Sequence, residues 1–275
     1  MADIKLPFGL KDGILVHISQ VERGLARSCV CPQCNKPLVA RKGSELVHHF
    51  GHRAGPECAN AAETALHLAA KGILADRREI RLPAVEIHFD SSPFVMPLWP
   101  ERTFALGDVR AECRTGDIIP DILAYCGTTP LMIEIRVTHP VDEAKLKKIW
   151  ELRISTIEID LSSACRTFSP DGLCDAIVKQ TANKRWLFNA KSEEWKQVLI
   201  RTAEKKKTIT RGFARHVDHC PFNVRNMKGK PYANFIDDCS GCEFLLAVGG
   251  SNDFIICGGR HKIRTFDELR AFRAE

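Results

Sequence analysis

The chain has 275 residues, with 40 Lys and Arg against 34 Asp and Glu, a net charge of +6 and a pI near 8.7. Hydrophobic residues make up 44% and charged residues 27%, which excludes a disordered chain and fits one or two globular domains. The N-terminus lacks a signal-peptide core, and no stretch approaches the ~20 apolar residues that span a bilayer. A soluble, cytoplasmic protein with no membrane partner is expected.

In chain order, ILVHI (14–18) alternates apolar and polar residues and predicts a strand. Residues 59–79 predict a helix, because Ala62, Leu66, Ala69, Ala70 and Ile73 recur at helical spacing. AVEIHF (84–89), TFAL (103–106) and IIPDILAY (118–125) are strand-like runs parted by turn residues. LMIEIRVT (131–138) is a further strand, followed after Pro140 by a helix from about 141 to 152 and a strand at 154–161. The helix has the length of a crossover between parallel strands, so the pattern points to a mixed α/β sheet. A helix over 171–182 and a basic helix over 191–207 follow. The boundaries read from these shifts are 1–58 for a β-rich, metal-binding segment, 59–183 for the central domain and 184–275 for a basic helix with a C-terminal ribbon.

Twelve cysteines are many, in a reducing cytosol they are not expected as disulfides, and their spacing shows what most of them are for. Cys31-Pro-Gln-Cys34 has the spacing of a zinc knuckle, and His49, His52 and Cys58 follow at the usual distance for a second pair of ligands. Cys31, Cys34, His52 and Cys58 form the preferred set, His49 is the substitute, and Cys29 and His48 rank behind. Cys220, Cys239-Ser-Gly-Cys242 and Cys257 form a second set suited to a closed four-thiolate zinc site. Two structural zinc ions are expected. Cys113, Cys126, Cys165 and Cys174 read as small core residues.

Residues 184–230 hold 13 Lys and Arg against four acids, a net of +9 that leaves −3 for the rest. A basic segment on a near-neutral body predicts a polyanion partner, most simply nucleic acid. Lys191, Lys196, Arg201, Lys205, Lys206, Lys207, Arg211 and Arg215 are the candidate phosphate contacts. Trp186 and Trp195 read as packing residues.

Asp121 follows Pro120, and Glu134 and Arg136 share one face of the strand 131–138 by its period of two. A turn at 127–130 returns that strand beside Asp121. Two carboxylates then converge on a divalent cation, Mg²⁺ or Mn²⁺, with a cationic side chain alongside, which is what phosphodiester hydrolysis needs. Glu63, His67 and Lys71 lie at i, i+4 and i+8 on the preceding helix, and Glu63 is a third acid for the same metal.

These elements (CPQC at 31–34, HFGH at 49–52, Cys58, Glu63-x3-His67-x3-Lys71, Pro120-Asp121 and Glu134-Ile135-Arg136) resemble the competence protein CoiA-like family over about residues 28–165. That family carries a predicted nuclease domain of the PD-(D/E)xK, restriction-endonuclease-like superfamily. The resemblance implies a central mixed sheet flanked by helices; cysteine spacing, not the resemblance, adds the N-terminal Cys/His zinc module and the C-terminal four-Cys zinc ribbon on either side of it. The resemblance also implies catalysis by Asp121, Glu134 and Glu63 through a metal, with Arg136 where the superfamily usually has Lys. Thr138, His139 and Lys148 are supporting polar groups. The expected function is metal-dependent cleavage of DNA, in uptake and recombination or in phage defence, with partner proteins of such a complex. The alternative is a catalytically inactive, zinc-containing scaffold that binds nucleic acid or protein.

Overall fold

The computed structural model of the protein describes residues 5–90, 92–162 and 169–274. It is a mixed α/β protein of several sheets, divided into two compact units: Met1–Pro83 with Glu101–Asn189, and Ala84–Pro100 with Ala190–Glu275. Cys165 lies outside the described residues. Among the described residues, no helix is long and apolar enough to cross a membrane.

The first unit opens with five antiparallel strands: β1 (Phe8–Lys11), β2 (Ile14–His17), β3 (Gly24–Val30), β4 (Pro37–Arg41) and β5 (His49–His52), in the order β2-β1-β3-β4-β5. Asp12 and Gly13 turn β1 into β2 with φ of 52° and 78°, the left-handed pair that matches the twist of a tight hairpin. Helix α1 (Ala61–Arg77) buries Ala61, Ala62, Ala65, Leu66, Ala69, Ala70 and Leu74 along one stripe. It ends where Arg78 turns left-handed and donates its backbone N–H to the Leu74 carbonyl.

Next come β6 (Glu79–Leu82), β7 (Val85–His88), β8 (Val95–Trp99), β9 (Arg102–Ala105), β10 (Gly107–Ala111), β11 (Ile122–Cys126) and β12 (Thr129–Arg136). Helix α2 (Glu143–Leu152), β13 (Ser155–Asp160), α3 (Pro170–Val178) and β14 (Lys184–Phe188) complete the unit. The central sheet runs β10-β11-β12-β13-β14, antiparallel except for the parallel pair β12 and β13, which α2 connects. The helix expected over 171–182 stops at Val178, and Lys184–Phe188 forms an edge strand that the sequence reading did not separate.

One face of this sheet, with Ile133, Ile135, Ile157 and Ile159, shares a continuous core with α1, α3 and the N-terminal sheet, including Phe8, Leu38 and Phe50. The segment 1–58 therefore does not stand as a module of its own. Its sheet closes against α1 through this shared core. The other face carries Met132, Glu134, Thr156 and Glu158, all buried, with Ile149 of α2. Cys126 and Cys174 pack against the core as expected, whereas Cys113 does not join it.

The second unit gathers the β7–β8 hairpin with α4 (Ala190–Thr202), β15 (Glu204–Arg211), β16 (Ala214–Asp218), β17 (Arg225–Met227), β18 (Lys230–Asn234), β19 (Leu245–Val248), β20 (Phe254–Cys257) and α5 (Phe266–Ala274). Residues 84–100, placed by sequence in the central domain, belong here. Ile87, Phe89, Phe94 and Met96 pack with Leu199, Leu246, Ile263 and Leu269. The basic helix expected to reach residue 207 ends at Thr202, and Glu204–Arg211 is a strand. The run Thr208-Ile209-Thr210 is β-branched and favours that conformation.

Candidate functional site

Cys31, Cys34, His52 and Cys58 offer ligand atoms that all lie within 4.8 Å of one another. Among the described residues, no other Cys, His or carboxylate set gathers so closely. The knuckle is built by backbone bonds: Cys31 donates to the Lys36 carbonyl and Asn35 to the Cys31 carbonyl, both at 2.9 Å, with Asn35 left-handed at φ 58°. His52 comes from β5, and Cys58 from the turn leading into α1. The Nε2 of His52 faces the sulfurs of Cys34 at 3.3 Å and Cys58 at 3.7 Å. Its Nδ1 lies 2.9 Å from Glu57 Oε2. A carboxylate on the far ring nitrogen sets the tautomer that presents Nε2 to a metal. Three sulfurs and one imidazole suit Zn²⁺, so this cluster could hold a zinc ion.

The thiols are already unequal. The Lys36 backbone N–H facing its sulfur lowers Cys34 to about 7, and Cys58, bonded to Cys34, is pushed up to about 11. Zinc binding therefore displaces protons. Glu57 is held in turn by Arg41 at 3.3 Å. The Arg41 guanidinium lies flat on Gly51, where a Cβ would come within 2.4 Å of it. His49, the substitute ligand, is turned away and places its Nδ1 2.8 Å from the Val47 carbonyl. Glu57 was not singled out from sequence. We expect Glu57→Gln to weaken zinc binding about 10- to 100-fold, read by competition with a chromophoric chelator.

The acidic constellation forms on the central sheet. The register Ile122↔Ile133, continued by one residue, sets Asp121 opposite Glu134. Asp121 Oδ2 accepts from the Ile135 backbone N–H at 2.8 Å. Its Oδ1 lies 3.2 Å from Lys71 Nζ and 3.9 Å from His67 Nδ1. His67 Nε2 donates to the Ile135 carbonyl at 2.8 Å, so that nitrogen carries a proton. Burial works against the charge of Lys71, but Glu112 and Asp121 outweigh it and hold the ammonium above its ordinary pKa. The stripe Glu63, His67, Lys71 thus delivers its second and third members to Asp121. Glu63 itself makes no hydrogen bond or ion pair among the described residues, and nothing ties it to the acids.

Glu134 is 4% exposed. Its Oε2 meets Lys145 Nζ at 2.7 Å, while its Oε1 is buried without a partner. Burial pushes Glu134 up to about 7; Lys145 pulls it down, and Asp121 and Glu158 push it further up. Glu158 sits beside it in the parallel register and is 1% exposed. Its Oε1 takes Arg185 Nε at 2.8 Å, and its Oε2 takes the Val141 backbone N–H at 3.1 Å, at the entry to α2.

Arg136 is not the cation beside the acids. It pairs with Asp160 at 3.0 Å, its register neighbour, and leaves its Nε buried without a partner. Lys145, in the first turn of α2, takes the place expected of Arg136. Thr138, His139 and Lys148 are exposed and bond to none of these groups. Sequence reasoning missed Lys145 and Glu158, although both left signals. A crossover helix returns over the face of the strand it follows, so its first turn lands over that strand's end. The triads Ile133-Glu134-Ile135 and Ile157-Glu158-Ile159 repeat in register on neighbouring strands.

In the second unit, Cys220, Cys239, Cys242 and Cys257 line one cavity of about 40 Å³. Burial, then the neighbouring Cys220, Cys242 and Cys257, pushes Cys239 up to about 12. Their sulfurs do not reach the mutual spacing of the first set.

The basic segment is largely occupied by its own chain. Lys191 pairs with Glu194 at 2.9 Å, Lys206 with Glu204 at 3.0 Å and Arg211 with Asp218 through both terminal nitrogens. Arg215 donates to the Ser251 carbonyl at 2.5 Å. Lys196 and Lys205 lie over the rings of Phe89 and Phe254 at 4.9 and 3.8 Å. Arg201 and Lys207 have no such partner among the described residues. Lys184 is buried, bonds to the Ala176 carbonyl at 3.3 Å and is lowered by burial to about 8. Trp195 packs edge-on against Phe266, and Trp186 packs against the core of the first unit.

No curated protein and no solved structure matches this chain. Residues 17–61, which run from the end of β2 to the start of α1 and carry Cys31, Cys34, His52 and Cys58, match the family model of the competence protein CoiA, N-terminal domain.

Proposed function

We propose that this protein is a divalent-metal-dependent deoxyribonuclease with a restriction-endonuclease-like PD-(D/E)xK core, serving DNA uptake and recombination or phage defence. The observation that carries the reading is Glu134: a buried carboxylate with one oxygen unpartnered, opposite Asp121 and bonded to a lysine. Such an oxygen fits a divalent cation, because a buried acceptor left empty is costly and hard cations take oxygen ligands. Asp121 and Glu134 would hold Mg²⁺ or Mn²⁺; Glu63, which nothing ties to these acids, is left out of the set. The metal would polarise a phosphate oxygen and activate a water.

The chain's own groups do the rest. Lys145 keeps an ammonium at the acids and stabilises charge developing on the phosphate. Glu158 anchors the Val141 N–H and so fixes where α2 presents Lys145. His67 and Lys71 hold Asp121 from the side of α1. Zinc at the N-terminal cluster closes the small sheet, and a second zinc at Cys220, Cys239, Cys242 and Cys257 would make the C-terminal segment a ribbon, supported by the shared cavity.

One observation favours a second reading. Asp121 and Glu134 are each neutralised by a lysine, as in a core kept as an inactive scaffold for nucleic acid or a partner protein. Cleavage of single-stranded and duplex DNA with Mg²⁺ or Mn²⁺ decides between them. We expect Lys145→Ala to lower the rate at least about 100-fold and Arg136→Ala less than about 10-fold. Equal losses would return Arg136 to the catalytic position, and binding without cleavage by the wild type would favour the scaffold.

A further inference from the structure

A cleft of about 610 Å³ opens on the N-terminal sheet, between β3, β4 and the loop after β4. Lys5, Arg23, Arg41 and Lys42 line it, with Glu45 as the one acid and His49 at its base. Arg23 has no ion pair or hydrogen bond among the described residues. Among the described residues, the Lys42 ammonium reaches the Val21 carbonyl, a neutral group, and no acid. Arg41 is committed to an acid, Glu57, and the Gly51 backbone beneath its guanidinium keeps it in place. The loop lifts Leu46 and Val47 into solvent, 68% and 61% exposed, at the edge of this basic floor. Large apolar side chains beside unspent cations mark a surface that meets a partner with anionic and apolar parts.

We propose that this cleft binds the sugar–phosphate backbone of a single nucleic-acid strand. Its volume is that of a small-ligand pocket and takes about one or two nucleotides, not the body of a duplex. Phosphates meet Arg23 and Lys42, and the base faces meet Leu46 and Val47. The charge arithmetic favours this cleft over the basic run at 191–215. There an incoming phosphate competes with Glu194, Glu204 and Asp218 for Lys191, Lys206 and Arg211, and Arg201 and Lys207, on separate elements, are the cations left without such a partner among the described residues. In the cleft, neither Arg23 nor Lys42 is paired with an acid among the described residues, although Glu45 shares the lining. Contacts of this kind grip backbone without reading sequence and weaken steeply with salt.

The test uses the full, zinc-loaded chain without added Mg²⁺ or Mn²⁺, so that binding is read apart from cleavage. Anisotropy of a fluorescein-labelled oligothymidylate is measured at rising salt for the wild type, Arg23→Ala/Lys42→Ala and Arg201→Ala/Lys207→Ala. Arg41 is left alone because it supports Glu57. The cleft variant is expected to bind at least about 10-fold more weakly at low salt. Its salt slope should fall by about 1.4, two contacts at ~0.7 each for a single strand. The C-terminal variant should change binding less than about 3-fold. Unchanged zinc content and melting temperature show that the cleft variant is folded. Wild-type binding and slope in the folded cleft variant, no binding by the wild type, a loss confined to the C-terminal variant, or tighter binding of duplex than of single strand would each overturn the proposal. None of these outcomes depends on whether the protein cleaves DNA.

Discussion

Glu134→Gln is expected to abolish metal-dependent DNA cleavage, by at least about 1,000-fold, while leaving oligonucleotide binding intact. The substitution keeps shape but removes the charge that would hold a divalent cation at the site where Oε1 has no other partner. The same residue carries a pH signature in metal-free protein. Its ordinary pKa is near 4.5, and burial raises it to about 7 in the folded state. Between those values the folded state binds a proton that the unfolded state has released. The stability that this proton contributes is complete below about pH 4.5 and is lost as pH rises through 7. The total is on the order of 3 kcal/mol. Carboxylates such as Asp160 and Asp218, lowered in the fold, act in the opposite sense at more acidic pH. The informative quantity is thus the difference in melting temperature between wild type and Glu134→Gln. The variant should gain on the wild type between pH 5 and 7.5, and Mg²⁺ should erase that gain. A difference that stays flat with pH would show that Glu134 is already ionised, with Lys145 alone sufficient to hold it.

Cys34→Ser is expected to remove one zinc per chain and unfold the N-terminal sheet. A structural zinc contributes about 10–16 kcal/mol in small zinc-binding peptides, comparable with the whole 5–15 kcal/mol stability of a domain. Because Phe8, Leu38 and Phe50 share a core with Leu66 and Ala70, loss of the metal should also lower the cooperativity of α1. Metal content by atomic absorption and thermal denaturation read both effects. His49→Gln is the control. Its Nδ1 is tied to the Val47 carbonyl rather than facing the sulfurs, so zinc content should not change. Full zinc occupancy in Cys34→Ser, or loss of zinc in His49→Gln, would reassign the ligand set.

The sequence by itself determined the parts whose chemistry is local. Ligand spacing singled out Cys31, Cys34, His52 and Cys58, because a CxxC turn and a nearby His-Cys pair need only short stretches of chain to close on one ion. Period-two alternation placed Glu134 on a polar strand face, and helical spacing set His67 and Lys71 on one stripe. Only the tertiary structure decided which cation meets which acid. Arg136 and Asp160 are register neighbours on parallel strands, so the arginine is spent there. Lys145 arrives over Glu134 because α2 folds back across the same face. The pairing within the basic segment was hidden for a related reason. Net charge counts Lys191, Lys206 and Arg211 as free, whereas α4 sets Glu194 beside Lys191, β15 sets Glu204 beside Lys206, and the β15–β16 pairing brings Asp218 against Arg211. Arg23 and Lys42, which no local pattern marked, line a cleft and form no ion pair among the described residues. Pairing across strands and helices depends on register and crossover, which no local stretch of sequence specifies.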